Sequence, residues 1–157
     1  MTAPILIFAI GNESRGDDAL APLLVRGLEG WAETAGQIEL IEEYQLQVEH
    51  VTDLLERGAV LFVDADVSCT EPFHFSAITG EHDNSYTSHA MTPAALLHAY
   101  RKVYGEDAPP AFLLRIRGYD FELGNSLCDK ATANLELAAK RVREWYTEGI
   151  RTADDSV

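Results

Sequence analysis

Three segments of the chain carry side chains that suit chemistry on a divalent cation. Asp17 and Asp18 stand side by side after the turn GNESRG, Asp64 closes an apolar run, and His89 lies in the polar stretch DNSYTSHAM. Two adjacent carboxylates repel each other unless a cation, a helix N-terminus or hydrogen bonds compensate. Two carboxylates and one imidazole can hold an ion such as Ni²⁺ or Zn²⁺ and leave positions open for another ligand.

Each of these residues also has an ordinary structural explanation. Asp17 and Asp18 suit the N-terminus of the helix that follows them, where a carboxylate interacts favourably with the helix dipole. Asp64 suits a turn that closes a strand, and His89 suits an exposed loop. Spacing alone does not choose between these roles and a metal site.

The elements that must position these residues alternate between strands and helices. Continuous apolar runs predict buried parallel strands, and apolar residues at helical spacing predict the helices between them. The predicted strands are 5–10, 38–43, 59–63, 73–78 and 111–116, and the predicted helices are 19–31, 48–56, 92–104 and 126–146. The fourth strand alternates between apolar and polar residues, which favours an antiparallel edge position.

This order of elements predicts an α/β fold with a mostly parallel sheet covered by helices on both faces. In such sheets, ligands bind beyond the carboxyl ends of the strands. Asp17 and Asp18 follow the first strand, Asp64 follows the third, and His89 precedes the helix 92–104. We therefore expect these residues to meet at one edge of the sheet.

Length and composition predict a single domain over residues 1–146 with a flexible acidic tail at 147–157. The 157 residues carry a formal net charge of −14. Such a surface repels phosphate backbones and anionic lipid, so we expect no nucleic-acid or membrane partner. The start of the chain lacks a basic segment, and its apolar run is too short for a membrane span, so we expect a cytoplasmic protein.

Common catalytic signatures are absent from the sequence. It contains no GxSxG, HExxH, P-loop or GxGxxG motif. Cys69 and Cys128 are too few and too far apart for a disulfide framework or a cysteine zinc site, and neither has an obvious base beside it. The other four histidines show no metal-ligand spacing. No nucleotide-type cofactor is expected.

Five segments, taken together and in order, resemble the hydrogenase maturation endopeptidases. GNESRGDDALAP looks like the GNxxxxDD signature of that family, VDADVS resembles its VDA segment, and SHAMTPAALL resembles its histidine segment before a helix. YQLQVEHVTDLL and RGYDFELGNSLCDKATANLELAA are similar to the family's intermediate and closing segments. The resemblance spans nearly the whole chain.

The resemblance implies a three-layer sandwich with a twisted five-stranded sheet between helices. It places the metal-contacting, catalytic residues at Asp18, Asp64 and His89, with Gly11, Asn12 and Asp17 in supporting positions. The first ligand is Glu or Asp across relatives, so Asp18 provides the same carboxylate on a side chain shorter than that of Glu. Ala21 stands where many relatives have Gly, and Glu13-Ser14 replaces a commoner Pro-Leu. These departures bear on substrate choice rather than on ligands.

The resemblance also implies a task. Proteases of this family remove a short C-terminal extension from the precursor of the nickel–iron hydrogenase large subunit after nickel has been inserted. The implied partner is that precursor, and the implied metal is nickel supplied by the substrate, with another divalent cation able to replace it in vitro.

Two other functions remain compatible with the acidic residues. A signalling receiver domain also has an acidic pair after its first strand, an aspartate at the end of its third strand and a bound Mg²⁺. Against it, the loop GNESRG separates the pair from its strand, and the fifth strand lacks the expected terminal lysine. A metal-site chaperone without catalysis would keep the same ligands.

Overall fold

The computed structural model describes residues 2–81, 91–148 and 150. His89 and most of the tail beyond residue 148 lie outside these residues. The strands are β1 (Ile5–Ile10), β2 (Ile38–Glu43), β3 (Ala59–Asp66), β4 (Phe73–Ile78) and β5 (Ala111–Arg117). The helices are α1 (Leu20–Ala35), α2 (Pro93–Tyr104) and α3 (Asp129–Thr147).

The strands form one five-stranded sheet in the order β2-β1-β3-β5-β4. The pairs β1–β2, β1–β3 and β3–β5 are parallel, and β4 is the antiparallel edge strand beside β5. The predicted α/β fold and the antiparallel edge are therefore confirmed. The carboxyl ends of the four parallel strands lie at one edge of the sheet.

The two faces of the sheet bury separate apolar clusters. Ile7, Leu61 and Leu114 point to the face covered by α1 and α3, whereas Phe8 and Phe62 point to the face covered by α2 and the segment 48–54. All six residues of β1 are buried, which explains its continuous apolar sequence. The central strands thus form a rigid support for the loops that follow them.

The helix α2 begins and ends as the sequence predicts. The Thr92 hydroxyl accepts a hydrogen bond from the Ala95 backbone N–H at 3.1 Å, Pro93 occupies the first turn, and Gly105 takes a left-handed conformation with φ of 71°. These are the usual signals for a helix start and stop. Among the described residues, no helix is long and apolar enough to span a membrane.

Several boundaries differ from the predictions. β3 continues to Asp66, so Asp64 lies within the strand and not in a turn that closes it; polar residues there keep pairing with β5. A 3₁₀ turn, Gly16–Ala19, precedes α1, and the segment Val48–Leu54 is a 3₁₀ helix instead of an α-helix. The last helix begins at Asp129 because Cys128 is its extended N-cap residue.

Candidate functional site

The turn after β1 folds back tightly onto the 3₁₀ segment that carries the two aspartates. A Cβ atom at Gly11 would lie 2.3 Å from the Asp18 carbonyl oxygen, so this position requires glycine. The Asn12 side chain accepts a hydrogen bond from the Ser14 backbone N–H at 2.9 Å and thereby shapes the turn. Gly11 and Asn12 therefore lie beside Asp18, and their supporting role at the site stays a prediction.

Asp18 points back towards the end of β1. Its Oδ2 accepts a hydrogen bond from the Asn12 backbone N–H at 2.8 Å. Burial raises the pKa of this carboxyl above its ordinary value, although the Asn12 N–H and the Arg15 charge act in the opposite direction. The described residues therefore compensate the ionised form of Asp18 only in part.

Asp64 is the second carboxylate at this edge of the sheet. It pairs with Ile10 in the β1–β3 register and points to the same face as Phe62, towards α2. Burial, followed by the negative charge of Asp18, raises the pKa of Asp64 to about 7. Asp18 and Asp64 are thus close enough for their negative charges to repel each other.

Asp17 has a different environment from its neighbour. It is completely buried, and its Oδ2 accepts hydrogen bonds from the backbone N–H groups of Tyr119 and Asp120 at 2.7 and 3.0 Å. Its Oδ1 accepts the Cys128 N–H at 2.9 Å, and the Cys128 thiol donates to Oδ2 at 3.1 Å. Burial acts to raise the pKa of Asp17, but these donors together lower it below the ordinary value.

Asp17 therefore holds the loop between β5 and α3 against the 3₁₀ turn Gly16–Ala19, called the acidic turn below. A Cβ at Gly118 would lie 2.9 Å from the Asp17 Cβ, and one at Gly16 would lie 2.2 Å from the Asp120 carbonyl oxygen. Asp17 is committed to this structural contact and does not cap its own helix. The sequence contains the acidic pair but gives no sign of these partners, which lie more than 100 residues away.

His89, the third predicted ligand, lies outside the described residues. The segment that contains it ends at Met91, whose backbone N–H donates to the Leu46 carbonyl oxygen at 3.3 Å, beyond the end of β2. Within the described residues, no group of three or more His, Cys, Asp or Glu side chains is arranged to hold a metal ion. The convergence of His89 with the two carboxylates remains a prediction.

Another histidine, His50, contacts the same face of the sheet. Its ring lies edge-on to Phe8 with a centroid separation of 5.2 Å, and its Nδ1 accepts the Gln47 backbone N–H at 2.9 Å. Its Nε2 is 3.7 Å from a Glu43 carboxylate oxygen. His50 therefore helps to hold the segment after β2 in place.

A cleft of about 400 Å³ adjoins the turn on its β2 side. It is lined by Gly11, Glu13, Arg26 and residues 42–45, among others. Arg26 spans its wall, because it contacts Glu42 at 2.8 Å and also pairs with Glu13 at 2.5 Å. The cleft has room for a segment of extended polypeptide beside the candidate site.

Large apolar side chains are exposed around the same end of the molecule. Tyr44 follows β2 and is 70% exposed, Val67 follows β3 and is 61% exposed, and Leu123 lies in the loop after β5 and is 70% exposed. Apolar side chains exposed together often mark surfaces that bind macromolecules. This end of the molecule therefore combines two incompletely compensated carboxylates with apolar loops.

Comparison with known proteins establishes the fold. No protein-family model matches the chain, and no curated protein matches it in sequence. Among solved structures, the hydrogenase maturating endopeptidase HybD from E. coli is 21% identical, with a TM-score of 0.70 over 95% of this chain and 94% of that one. A nickel–iron hydrogenase maturation protease HycI from Thermococcus kodakarensis KOD1 is 21% identical, with a TM-score of 0.69 over 90% and 91%.

A third solved structure, an endopeptidase from Escherichia coli, is 22% identical, with a TM-score of 0.73 over 95% of this chain and 94% of that one. Because the likeness covers nearly the whole of each chain, the sheet, the helices and the connecting order are shared. The chain therefore has the fold of these maturation endopeptidases.

Proposed function

We propose that this protein is an endopeptidase that removes a short C-terminal extension from the nickel-loaded precursor of a nickel–iron hydrogenase large subunit. The fold shared with the maturation endopeptidases supports this proposal. So do the five sequence segments that resemble that family along nearly the whole chain. We further propose that it acts in the cytoplasm.

The observation that carries the proposal is the unequal treatment of the two adjacent aspartates. Four donors from the β5–α3 loop bind Asp17. Among the described residues, Asp18 has one N–H donor, and it lies close enough to Asp64 for the two charges to repel. Two facing carboxylates with raised pKa values are stabilised by a divalent cation between them. Asp18 and Asp64 therefore suit a metal that arrives with the substrate.

In the proposed reaction, Asp18, Asp64 and His89 contact nickel that the precursor already holds through its own thiolates. The carboxylates would fix the ion, and with it the scissile segment, at the carboxyl edge of the sheet. Nickel there would supply a Lewis acid next to the bond to be hydrolysed. The exposed apolar residues Tyr44, Val67 and Leu123 would contact the folded body of the precursor.

The environment of Asp17 argues against a receiver domain. A receiver needs both members of its acidic pair for Mg²⁺, but both oxygens of Asp17 are occupied by backbone and thiol donors. Phosphorylation of Asp64 by a small phosphodonor such as acetyl phosphate would nevertheless favour that function. A chaperone role without catalysis predicts binding of the precursor and no cleavage.

The test is to mix the protein with nickel-loaded large-subunit precursor and follow the mass of the precursor. We expect loss of a single C-terminal peptide. Asp64→Asn removes one metal-binding charge and should reduce the cleavage rate by a factor of about 10³, as is common when a central catalytic group is removed. Asp107→Asn is the matched control, because its side chain is 83% exposed and lies outside the site. Intact precursor after incubation with the folded wild-type protein would contradict the proposal.

A second measurement concerns the metal. The two described carboxylates and His89 offer no thiolate, and soft thiolates would be needed to hold nickel tightly. Purified protein should therefore lose nickel on dialysis, and it should leave nickel-free precursor uncut. Stoichiometric nickel retained without substrate would show instead that the protein carries its own metal.

A further inference from the structure

Arg115 is the neighbour of Asp64 on the side away from Asp18. The register pairs Ile10 with Asp64, Asp64 with Arg115, and Arg115 with His74, across the strands β1, β3, β5 and β4. Residues paired in this way project from the same face of a sheet. A row of side chains therefore runs from the candidate metal site to the β4 edge, with an arginine directly beside Asp64.

The guanidinium of Arg115 is held in place from two sides. Its Nη1 donates to Asp66 Oδ2 at 3.1 Å, and its Nη2 lies 3.3 Å from His74 Nδ1. Asp66 is itself fixed by the Ser68 N–H at 2.7 Å and the Ser68 hydroxyl at 2.9 Å. A guanidinium oriented in this way has already lost much of the side-chain entropy that ligand binding would otherwise cost.

Arg115 nevertheless keeps donors that no described residue uses. Its side chain is 37% exposed. Each Nη nitrogen carries two hydrogens and has one described partner, and Nε is buried with no hydrogen-bond partner in the described part of the chain. The contacts with Asp66 and His74 therefore leave part of the guanidinium group without a described partner.

The charge around Arg115 favours an anionic ligand. Arg117 projects from the same face two residues further along β5, and its Nη1 donates to the Cys69 carbonyl oxygen at 2.7 Å. Of the two guanidinium groups, only that of Arg115 is hydrogen-bonded to a described carboxylate, that of Asp66. Both guanidinium groups lie on one face of β5, in a chain whose net charge is −14. Arginine binds carboxylates through two parallel N–H···O bonds, which makes this pairing both strong and directional.

We propose that Arg115 is a specificity-determining residue that binds a carboxylate of the substrate close to the bond that is cut. The inference rests on the proposed function and adds to it a requirement for an acidic residue in the precursor. Neighbouring strands are about 4.8 Å apart and an extended chain advances about 3.3 Å per residue. The acidic residue should therefore stand one to three positions from the scissile bond, either in the retained part or in the extension.

The experiment uses full-length, nickel-loaded precursors in which this acidic residue is varied. In one arm, each Asp or Glu within three residues of the scissile bond on the extension side is changed to Asn or Gln, and in the other arm the same is done on the retained side. Affinity for the intact protein and the rate of cleavage are both measured. We expect one arm to lower kcat/KM at least about tenfold, chiefly through KM, because a charge-assisted hydrogen bond is lost.

Variants of the protein then show whether Arg115 binds the acidic residue of the precursor. With Arg115→Gln, acidic and amide precursors should be bound and cut equally, at the lower efficiency. Arg115→Lys keeps the charge without the fork, so its preference for the acidic precursor should be intermediate. Arg101→Gln is the matched control, because Arg101 also pairs with a carboxylate, Asp107 at 3.0 Å, but lies in the helix α2 with its side chain 72% exposed.

The outcomes separate this inference from the proposed function. If the wild-type protein cuts acidic and amide precursors equally in both arms, or if Arg115→Gln keeps the preference, the inference is wrong and the proposed function stands. If the wild-type protein binds the acidic precursor selectively but cuts none, the carboxylate site stands and the proposed catalysis fails. If the wild-type protein neither binds nor cuts any precursor, both the inference and the proposed function are wrong.

Discussion

Asp17 and Asp18 are joined by one peptide bond, and they have opposite environments. Asp17 is buried among four donors that favour its ionised form and lower its pKa. Asp18 faces another carboxylate, and the pKa values of both Asp18 and Asp64 are raised. The first environment stabilises the fold, whereas the second costs stability and is typical of functional sites.

The largest effect on stability should follow from Asp17→Asn. An amide cannot accept all four hydrogen bonds, and its own NH₂ group would face N–H donors, so we expect a loss of about 3 kcal/mol in the free energy of unfolding. Urea denaturation measures this loss. Asp107→Asn changes an exposed aspartate in the same way and should cost less than 1 kcal/mol. Equal stability of the two variants would mean that Asp17 does not hold the loop.

The variant Asp64→Asn should increase the free energy of unfolding, and the size of this increase should depend on pH. The folded pKa of Asp64 is about 7, above the unfolded value near 3.9, so the folded protein binds the additional proton. Wild-type stability should therefore fall as pH rises from about 4 to 7. In the metal-free protein, the asparagine variant escapes this loss and should be more stable by about 2 kcal/mol at pH 8 and no more stable at pH 4.

Asp66→Asn provides the control for that measurement, on the same strand. Burial acts to raise the pKa of Asp66, but Ser68 and Arg115 together lower it below its ordinary value. The ionised carboxylate therefore contributes stability above the unfolded pKa, and this contribution is lost as pH falls through the lower folded pKa. Asp66→Asn should destabilise the protein at pH 8. If Asp64→Asn and Asp66→Asn both stabilise the protein at pH 8, charge repulsion is spread over the whole edge of the sheet.

A smaller loss should follow from Gly118→Ala. The new methyl group would lie 2.9 Å from the Asp17 Cβ and from the Phe121 ring, so the fastened loop must shift, at a cost of about 1 to 2 kcal/mol. Gly27→Ala is the control, because nothing lies within 4 Å of its Cβ and alanine favours the helix α1. Thermal denaturation should therefore show opposite changes in Tm. A loss of cleavage without a loss of Tm would place Gly118 in contact with substrate.

The smallest effect should come from removing both thiols with Cys69→Ala and Cys128→Ala. Burial raises the pKa of each thiol, helped by Asp66 at Cys69 and by Asp17 at Cys128, so neither is an activated nucleophile. Cleavage of precursor should persist within about twofold, with about 1 kcal/mol of stability lost at each site. Complete loss of cleavage by the folded double variant would reveal a thiol mechanism.

The sequence predicted the elements better than their contacts. Continuous apolar runs located the central strands, and Thr92 and Gly105 located the ends of α2, because these signals are local. The sequence does not predict the extension of β3 to Asp66, because the last residues of this strand are polar and are held by pairing with β5. The segment 48–54 has an apolar pattern that fits a helix, and its tighter 3₁₀ form depends on packing against the sheet.

The candidate site could be predicted only in part for the same reason. Asp18 and Asp64 follow neighbouring parallel strands, so their approach follows from the order of elements. The role of Asp17 depends on donors near residues 119–128, and the position of Arg115 beside Asp64 depends on the β3–β5 register. Neither contact has a signature in the local sequence. The place of His89 stays a prediction.

The hydrogen bonds between Asp17 and Cys128 also affect when the candidate site is organised during folding. The two residues are 111 positions apart, so closing this contact carries a large loop entropy and cannot occur early in folding. During synthesis, the acidic turn emerges among the first residues, but its anchoring donors are made only after β5. We expect a nascent chain that ends before residue 119 to hold the strands β1 to β3 without a fixed Asp18, and thus to gain the organised site only when synthesis is nearly finished.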